Sequence, residues 1–318
     1  HCLLGKKVRD ATPISWWCSH STPEDWAAEA AAGVAAGYTS LKTKPRPWWD
    51  VIAQIEAVSD ATPAHFRIDM DPNGTLDNAA TAIPILTRLS AYERVAMFET
   101  PIPQKDVLGN RQIRRAVPRP IAMHFGSPPF LTALREEVCD GFVINGGAHK
   151  VLQDGAQAAG AAMPFWLQLV GNGLTTTWAA HLGAVLSHAT WPTISCVNLY
   201  TDHLLADPIR VQGGYQPVPN GPGLGVTVNE EAVAQYRVAD DKLATVAEGQ
   251  TYAHPTPRLI NTIHYPDGSR VHVAQLGTTS VHHGPGWSAG VHVVTREDDA
   301  SADFADLYNR VLQGPVRN

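Results

Sequence analysis

The sequence has little with which to hold nucleic acid, a membrane or a structural metal. Its 318 residues carry 24 Lys and Arg against 30 Asp and Glu, a net charge of −6, so the basic face of a nucleic-acid binder is missing. No apolar run approaches the ~20 residues of a membrane-spanning helix. Four cysteines (Cys2, Cys18, Cys139 and Cys196) form no CxxC pair. They give no sign of a zinc knuckle or a disulfide framework, and read as thiols of a reducing, cytoplasmic compartment. Lysine is scarce, with seven in the chain. The first residue is His1 rather than Met, with no signal-peptide pattern after it, which is the expected look of a fragment or a processed product. What is plentiful is apolar: 44% of residues are hydrophobic and 17% charged, which suits a soluble enzyme with a large core rather than a disordered chain. The length allows two average domains or one α/β barrel of roughly 250 residues.

The first two-thirds alternates strand-like and helix-like text. Short apolar or β-branched runs predict eight strands, at 13–18, 40–44, 66–71, 94–99, 120–125, 141–145, 165–170 and 194–199. Seven helical segments lie between them, near 22–32, 48–59, 76–89, 106–117, 129–138, 148–162 and 174–188. The first opens on Thr22-Pro23-Glu24-Asp25, a cap followed by Pro and acids. Strands separated by helices of ~10–15 residues imply right-handed parallel crossovers. Eight such units close into a (β/α)8 barrel, with a doubly wound open sheet as the alternative. Polar residues at the C-terminal ends of nearly every strand favour the barrel, which places its chemistry there. The alternation stops after Tyr200. A turn-rich stretch at 217–226 and a short helix at 229–237 follow. The text then becomes β-like, with a hairpin around Asp267-Gly268 joining 258–264 to 270–276, and a last helix at 302–312. The expected division is the remnant of a linker at 1–10, a barrel at 11–240 and a C-terminal α+β extension at 249–318.

Two of the seven lysines stand two apart, Lys42 and Lys44, so period 2 puts them on one face of a strand. Turned inward, a lysine has a depressed pKa and can act as a base near neutral pH; turned outward, the two are a solvated strand end. On the third strand Asp69 and Asp71 share a face, and the fourth ends on Glu99. Carboxylates on adjacent strand ends suit a hard divalent ion such as Mg²⁺. Taken singly, each also fits a cap or a turn, and Asp71-Pro72-Asn73-Gly74 is a good turn by itself.

Taken together, Lys-x-Lys, Asp and Glu on consecutive strands resemble the enolase superfamily, in its mandelate racemase/muconate lactonizing branch. Leu3-Leu4-Gly5-Lys6-Lys7-Val8-Arg9-Asp10 is similar to the LLGGKxRD that joins that family's capping domain to its barrel. The stretch from Gly37 to Lys44 resembles its GYxxxKxK. Asp71-Pro72-Asn73-Gly74 resembles the DxNG of acid-sugar dehydratases, and Phe98-Glu99-Thr100-Pro101 its FEDP. Gly146-Gly147, Ala179-Ala180-His181-Leu182 and the run from Pro219 to Val226 match further family stretches, so the resemblance covers about residues 3 to 240. It implies abstraction of a proton α to a carboxylate, with a divalent ion offsetting the developing oxyanion. It makes Lys44 the base and Lys42 its neighbour, depressing its pKa and contacting the substrate carboxylate. Asp71 and Glu99 become metal ligands, with Asp69 as the alternative on strand three. It also implies that the chain lacks an N-terminal capping domain ahead of His1.

The sequence departs from the pattern at several positions. The family's third ligand is usually Glu, Asp or Asn, where this chain has His124. Histidine is a poor Mg²⁺ ligand and a good one for Mn, Fe or Zn. Either the ion differs, or His124 binds or protonates substrate, or it is a core histidine. Asn145 and Gln168 (or Asn172 in the neighbouring register) stand where the family places a second acid or base, and Asn198 stands at strand eight. None of these titrates, so one-base chemistry fits better than racemisation. Tyr200, Asp202, His203, His149 and His20 are the possible acids nearby. Trp16, Trp17, Trp48, Trp49 and Trp166 are either core or the floor of a sugar-sized pocket. His282-His283 is either a solvated turn or a metal-binding pair. The reading is a metal-dependent lyase acting on a hydroxy or sugar acid. The divalent ion is Mg²⁺, with Mn²⁺ or another transition metal allowed by His124. Lys44 and Lys42 are catalytic, Asp71, Glu99 and His124 bind metal, and Asn73, Asn145, Gln168 and Trp16 bind substrate. A racemase or cycloisomerase on the same chemistry is one alternative, and a barrel that has kept only binding is another. The partner is a small carboxylate, and a homo-oligomer is expected.

Overall fold

A computed structural model describes residues 1–238, 257–276 and 287–318. The chain divides into two compact units: residues 1–46 with 51–228, and residues 47–50 with 229–318. The expected boundary near 240–249 therefore falls earlier, and the helix at 230–236 groups with the second unit. The expected metal-binding pair His282-His283 lies outside the described residues.

The first unit is built on a parallel sheet. Its strands are β2 (Trp16–Trp17), β3 (Ser40–Thr43), β4 (Arg67–Met70), β5 (Val95–Glu99), β6 (Ile121–His124), β7 (Gly141–Ile144) and β8 (Phe165–Leu167), side by side in sequence order. Helices α1 (Pro23–Ala35), α2 (Val51–Ala61), α3 (Ala79–Ser90), α4 (Val107–Ala116), α5 (Phe130–Arg135), α6 (Ala148–Gly160) and α7 (Gly173–Val185) supply the crossovers. Helix starts follow the sequence signals. Thr22 and Asp25 form a capping box on α1, and Asn78, Asp106 and Asn172 cap α3, α4 and α7. The seventh helix is Ala-rich and buried over most of its length, as a helix without a polar face must be.

Thr193 bridges Ile14 and Ile194 bridges Gln168, both in parallel, so this segment joins the two edges of the curled sheet and closes the barrel. The predicted eighth strand is otherwise not extended. Cys196 adopts left-handed φ 55°, and the chain turns into a 3-10 helix at Val197–Leu199. A left-handed residue cannot continue a ladder, so the strand is cut to its first residues. The predicted first strand is also split. Its start forms β1 (Ala11–Pro13), which pairs antiparallel with β9 (Tyr215–Pro217), and only Trp16 and Trp17 join the barrel. Inside the barrel Met97, Ala122, Val143, Trp166, Ile194 and Cys196 pack together, with Trp17 against them. A second layer, including Phe142, Ile144, Val151, Phe165, Leu167 and Leu182, fills the space between strands and helices.

In the second unit, α8 (Glu230–Tyr236) precedes a four-stranded antiparallel sheet. The strands are β10 (Leu259–His264), β11 (Arg270–Val273), β12 (His292–Glu297) and β13 (Val316–Arg317), in the order β12-β10-β11-β13. The hairpin predicted at Asp267-Gly268 joins β10 to β11. Helix α9 (Ala302–Val311) packs Phe304 and Val311 on Ile260. Trp48 and Trp49 pack with Ile263, Tyr265, Val271, Val273 and Val291. The helix predicted from residue 48 accordingly starts only at Val51, because the two indoles are core of this unit.

Candidate active site

All four residues of β3 are buried. Lys42 lies in register with Trp17 on one side and Asp69 on the other. Partners in register point to the same face, so Lys42 enters the barrel with Trp17 and Asp69, and Lys44 follows on the same face one step nearer the C-terminal end. The Lys42 ammonium, 2% exposed, is hydrogen-bonded to Glu99 Oε2. It lies 4.0 Å from Asp71 Oδ2 and 4.5 Å from the centroid of the Trp166 ring, a cation–π contact. Burial lowers its pKa to about 8 against the opposing pull of Asp71, and the neighbouring Lys44 lowers it further. The Lys44 ammonium is hydrogen-bonded to Asp71 Oδ2.

Burial would raise the Asp71 carboxyl, but Lys42 and Lys44 outweigh it and hold the group below its ordinary value. Asn73 stabilises the same carboxylate. Its backbone N–H donates to Oδ1 and its side-chain amide to Oδ2, each at 2.9 Å. Arg46 donates to Asn73 Oδ1 at 2.5 Å and to the Asp71 carbonyl at 3.0 Å. On the next strands, His124 Nε2 lies 2.9 Å from Glu99 Oε1. The Gln104 side chain accepts the His124 backbone N–H at 2.7 Å. Burial lowers the His124 pKa, partly countered by Asp71. Asp69 sits one layer deeper, where burial raises its pKa to about 6 against Lys42.

The structure thus brings Lys42, Lys44, Asp71, Glu99 and His124 together at the C-terminal ends of β3 to β6. Asn73 joins them, but spends its amide on Asp71 and Arg46. Trp16 does not join them. Its indole N–H donates to Glu29 of α1 at 2.6 Å, and its ring meets Tyr38 edge-on. The parity of β2 turns Trp17 inward and Trp16 outward, so the substrate role expected of Trp16 is corrected. Asn145 is exposed beyond β7, and Gln168 is half-buried at the closing bridge. Asn172 caps α7, and Asn198 bonds the Trp17 backbone in both directions. The Asp202 carboxylate accepts the Leu204 N–H in a local turn, and His149 lies exposed on α6. Arg46, Gln104 and the stacking role of Trp166 went unread in the sequence. Only Arg46, two residues past the paired lysines on the same alternation, left a signal there.

Among the described residues, no three His, Cys, Asp or Glu side chains stand as a ready-made cage for an ion. In kind the donors fit one. Two buried carboxylates on adjacent strands converge on a single cation, the Lys42 ammonium, and an imidazole nitrogen touches one of them.

The family model described as enolase C-terminal domain-like matches residues 25–232. The chain belongs to that family. Two of its curated relatives are dehydratases. The D-gluconate dehydratase of Thermoproteus tenax is 26% identical over 270 residues, covering 76% of this chain and 52% of that protein. A probable glucarate dehydratase of Streptomyces coelicolor is 28% identical over 270 residues, covering 74% of this chain and 60% of that protein. The chain thus spans little more than half the length of these relatives. Racemases and cycloisomerases also match. A mandelate racemase/muconate lactonizing family protein from Azoarcus sp. EbN1 superposes with TM-score 0.63 at 26% identity, over 74% of this chain and 67% of that one. An enolase from Thermobispora bispora, complexed with magnesium and formate, superposes with TM-score 0.60 at 24% identity, over 74% of this chain and 61% of that one. That second likeness is one of fold.

Proposed function

We propose that this enolase-family barrel is a lyase that removes the proton α to the carboxylate of a hydroxy or sugar acid and eliminates water. The observation that carries this reading is the paired lysines. Lys44 has 18% of its side chain exposed against 3% for Lys42, so Lys44 is the lysine a substrate can reach. It bonds Asp71, the carboxylate that Asn73 and Arg46 hold in place. Lys44 takes the α-proton. Lys42, whose ammonium lies against Trp166 and 4.0 Å from Asp71, keeps positive charge beside that carboxylate. A divalent ion would be held by Asp71 and Glu99, with the Lys42 ammonium drawn off Glu99, and would supply positive charge for the developing oxyanion. Loss of the β-hydroxyl as water then yields an enol that tautomerises to a 2-keto acid. Two-base racemisation needs a second acid or base on the opposite strand ends, and Asn145 and Gln168 carry amides there. The dehydratases among the relatives support the lyase reading, and the racemases and cycloisomerases keep isomerisation as the alternative. Incubation with a panel of hydroxy and sugar acids, followed by a carbonyl-trapping reagent, tests the choice. The lyase reading expects a trapped keto acid. Recovery of an isomer with no keto acid would favour the alternative, and no turnover across the panel would favour a barrel that only binds.

A further inference from the structure

We propose that Pro47–Asp50 is the positioning segment of the proton-abstraction site, and that the second unit, by holding Trp48 and Trp49 in its core, fixes the backbone that carries Lys44 and Arg46. Lys44 and Arg46 belong to the first unit, whereas Pro47–Asp50, beginning three residues after Lys44, groups with residues 229–318. The segment is held by side chain and backbone together. Trp48 and Trp49 are 2% and 6% exposed and pack with Ile263, Val271, Val273 and Val291. The Trp287 N–H donates to the Pro47 carbonyl at 3.0 Å, the Asp50 N–H to the Val291 carbonyl at 2.8 Å, and the Gly290 N–H to Asp50 Oδ2 at 2.7 Å. The chain between this anchor and the base is stiff. Pro45 and Pro47 have a fixed φ, and the residue before each, Lys44 and Arg46, is kept out of the helical region. Four successive residues therefore have little freedom to absorb a displacement. At its other end the strut is fastened to the site. Lys44 bonds Asp71, and Arg46 donates to the Asp71 carbonyl and to Asn73 Oδ1. A base needs such a mount, since misplacement by about 1 Å can cost about 100-fold in rate. Trp48 and Trp49 act through the backbone, as positioning residues.

This inference rests on the reading that Lys44 is the base, and the two can fail separately. The full chain is compared with Trp49→Ala, Trp49→Phe and Phe304→Ala. Phe304 is a core residue of the second unit in a different cluster, so Phe304→Ala weakens that unit and leaves the indoles of the anchor in place. Amide hydrogen exchange by mass spectrometry reads the peptide over 40–46. Exchange of the α-proton in D₂O gives kcat and KM for a hydroxy or sugar acid that the native chain labels. We expect Trp49→Ala to speed amide exchange over 40–46 about tenfold or more and to lower kcat about tenfold or more, with KM within about twofold. We expect Trp49→Phe to recover most of both losses, and Phe304→Ala to leave both readings near native. Amide exchange over 40–46 that stays native in Trp49→Ala, or that rises as much in Phe304→Ala, overturns the inference, as does a raised KM at unchanged kcat. If Trp49→Ala does not fold, Asp50→Ala, which removes the Gly290 bond, takes its place. A native chain that labels no acid overturns the proposed function, and amide exchange then decides the inference alone. A native chain that labels an acid, with Trp49→Ala matching it in kcat and amide exchange, retains the function and loses the inference.

Discussion

Lys42 is the residue on which the site's electrostatics turn. It is nearly inaccessible and is the partner of two buried carboxylates, Glu99 and Asp71. Removing one member of a buried ion pair leaves the other uncompensated, at a cost of about 3–5 kcal/mol. Lys42→Met is therefore expected to lose stability of that order in urea unfolding, and to recover part of it when a divalent ion is added. A variant as stable as the native chain would mean that the carboxylates do not depend on Lys42. The lysine pair and Asp71 were legible in the sequence because strand parity puts i and i+2 on one face. Trp16 was misread for the same reason. Parity says that Trp16 and Trp17 face opposite ways, but which one enters the barrel depends on pairing with Leu41 and Lys42. That pairing is a tertiary fact. Gln104 acts through the His124 backbone, and no residue pattern announces it.

At the scale of elements, two contacts tie the barrel wall at the face opposite the site. Arg9 places its guanidinium on the Gly183, Leu186 and Ser187 carbonyls at the end of α7, satisfying acceptors the helix leaves open. Arg9→Met is expected to lower stability by roughly 1–2 kcal/mol, read as a shift in the urea midpoint with an unchanged slope. Gly37 ends the turn after α1 at φ 91°, where a Cβ would collide with the Val211 carbonyl. Gly37→Ala is expected to cost more than about 1 kcal/mol, and a neutral result would mean that the turn is not held against residue 211. The first helix was legible from its cap, Thr22, and the others from composition. Strands at the barrel seam were less so. The text at 194–199 is as apolar as a strand, but the left-handed Cys196 ends it, and no residue type there predicts that geometry.

For the whole molecule, three of the four free thiols are buried: Cys18, Cys139 and Cys196. Burial pushes Cys18 and Cys139 from 9.0 up to about 12, and Cys196 up to about 11. Above pH 9 the unfolded chain releases these protons while the folded chain keeps them, so stability is full below pH 9 and falls as pH rises. Each thiol contributes a slope of up to about 1.4 kcal/mol per pH unit. Urea unfolding of Cys139→Ala between pH 9 and 11 is expected to give a shallower fall than the native chain, and parallel slopes would contradict the assignment. Among the described residues, no helix is long and apolar enough to cross a membrane, in keeping with the lack of any such run in the sequence. The central claim is that Lys44, beside Asp71 in an enolase-family barrel, removes an α-proton. The most direct measurement is mass spectrometry of hydroxy and sugar acids incubated in D₂O with Mn²⁺ and the native chain or Lys44→Met. The account predicts solvent deuterium in recovered substrate or product with the native chain, and a rate lower by about 100-fold or more with the variant. Equal labelling by both chains, or none by the native chain, would contradict it.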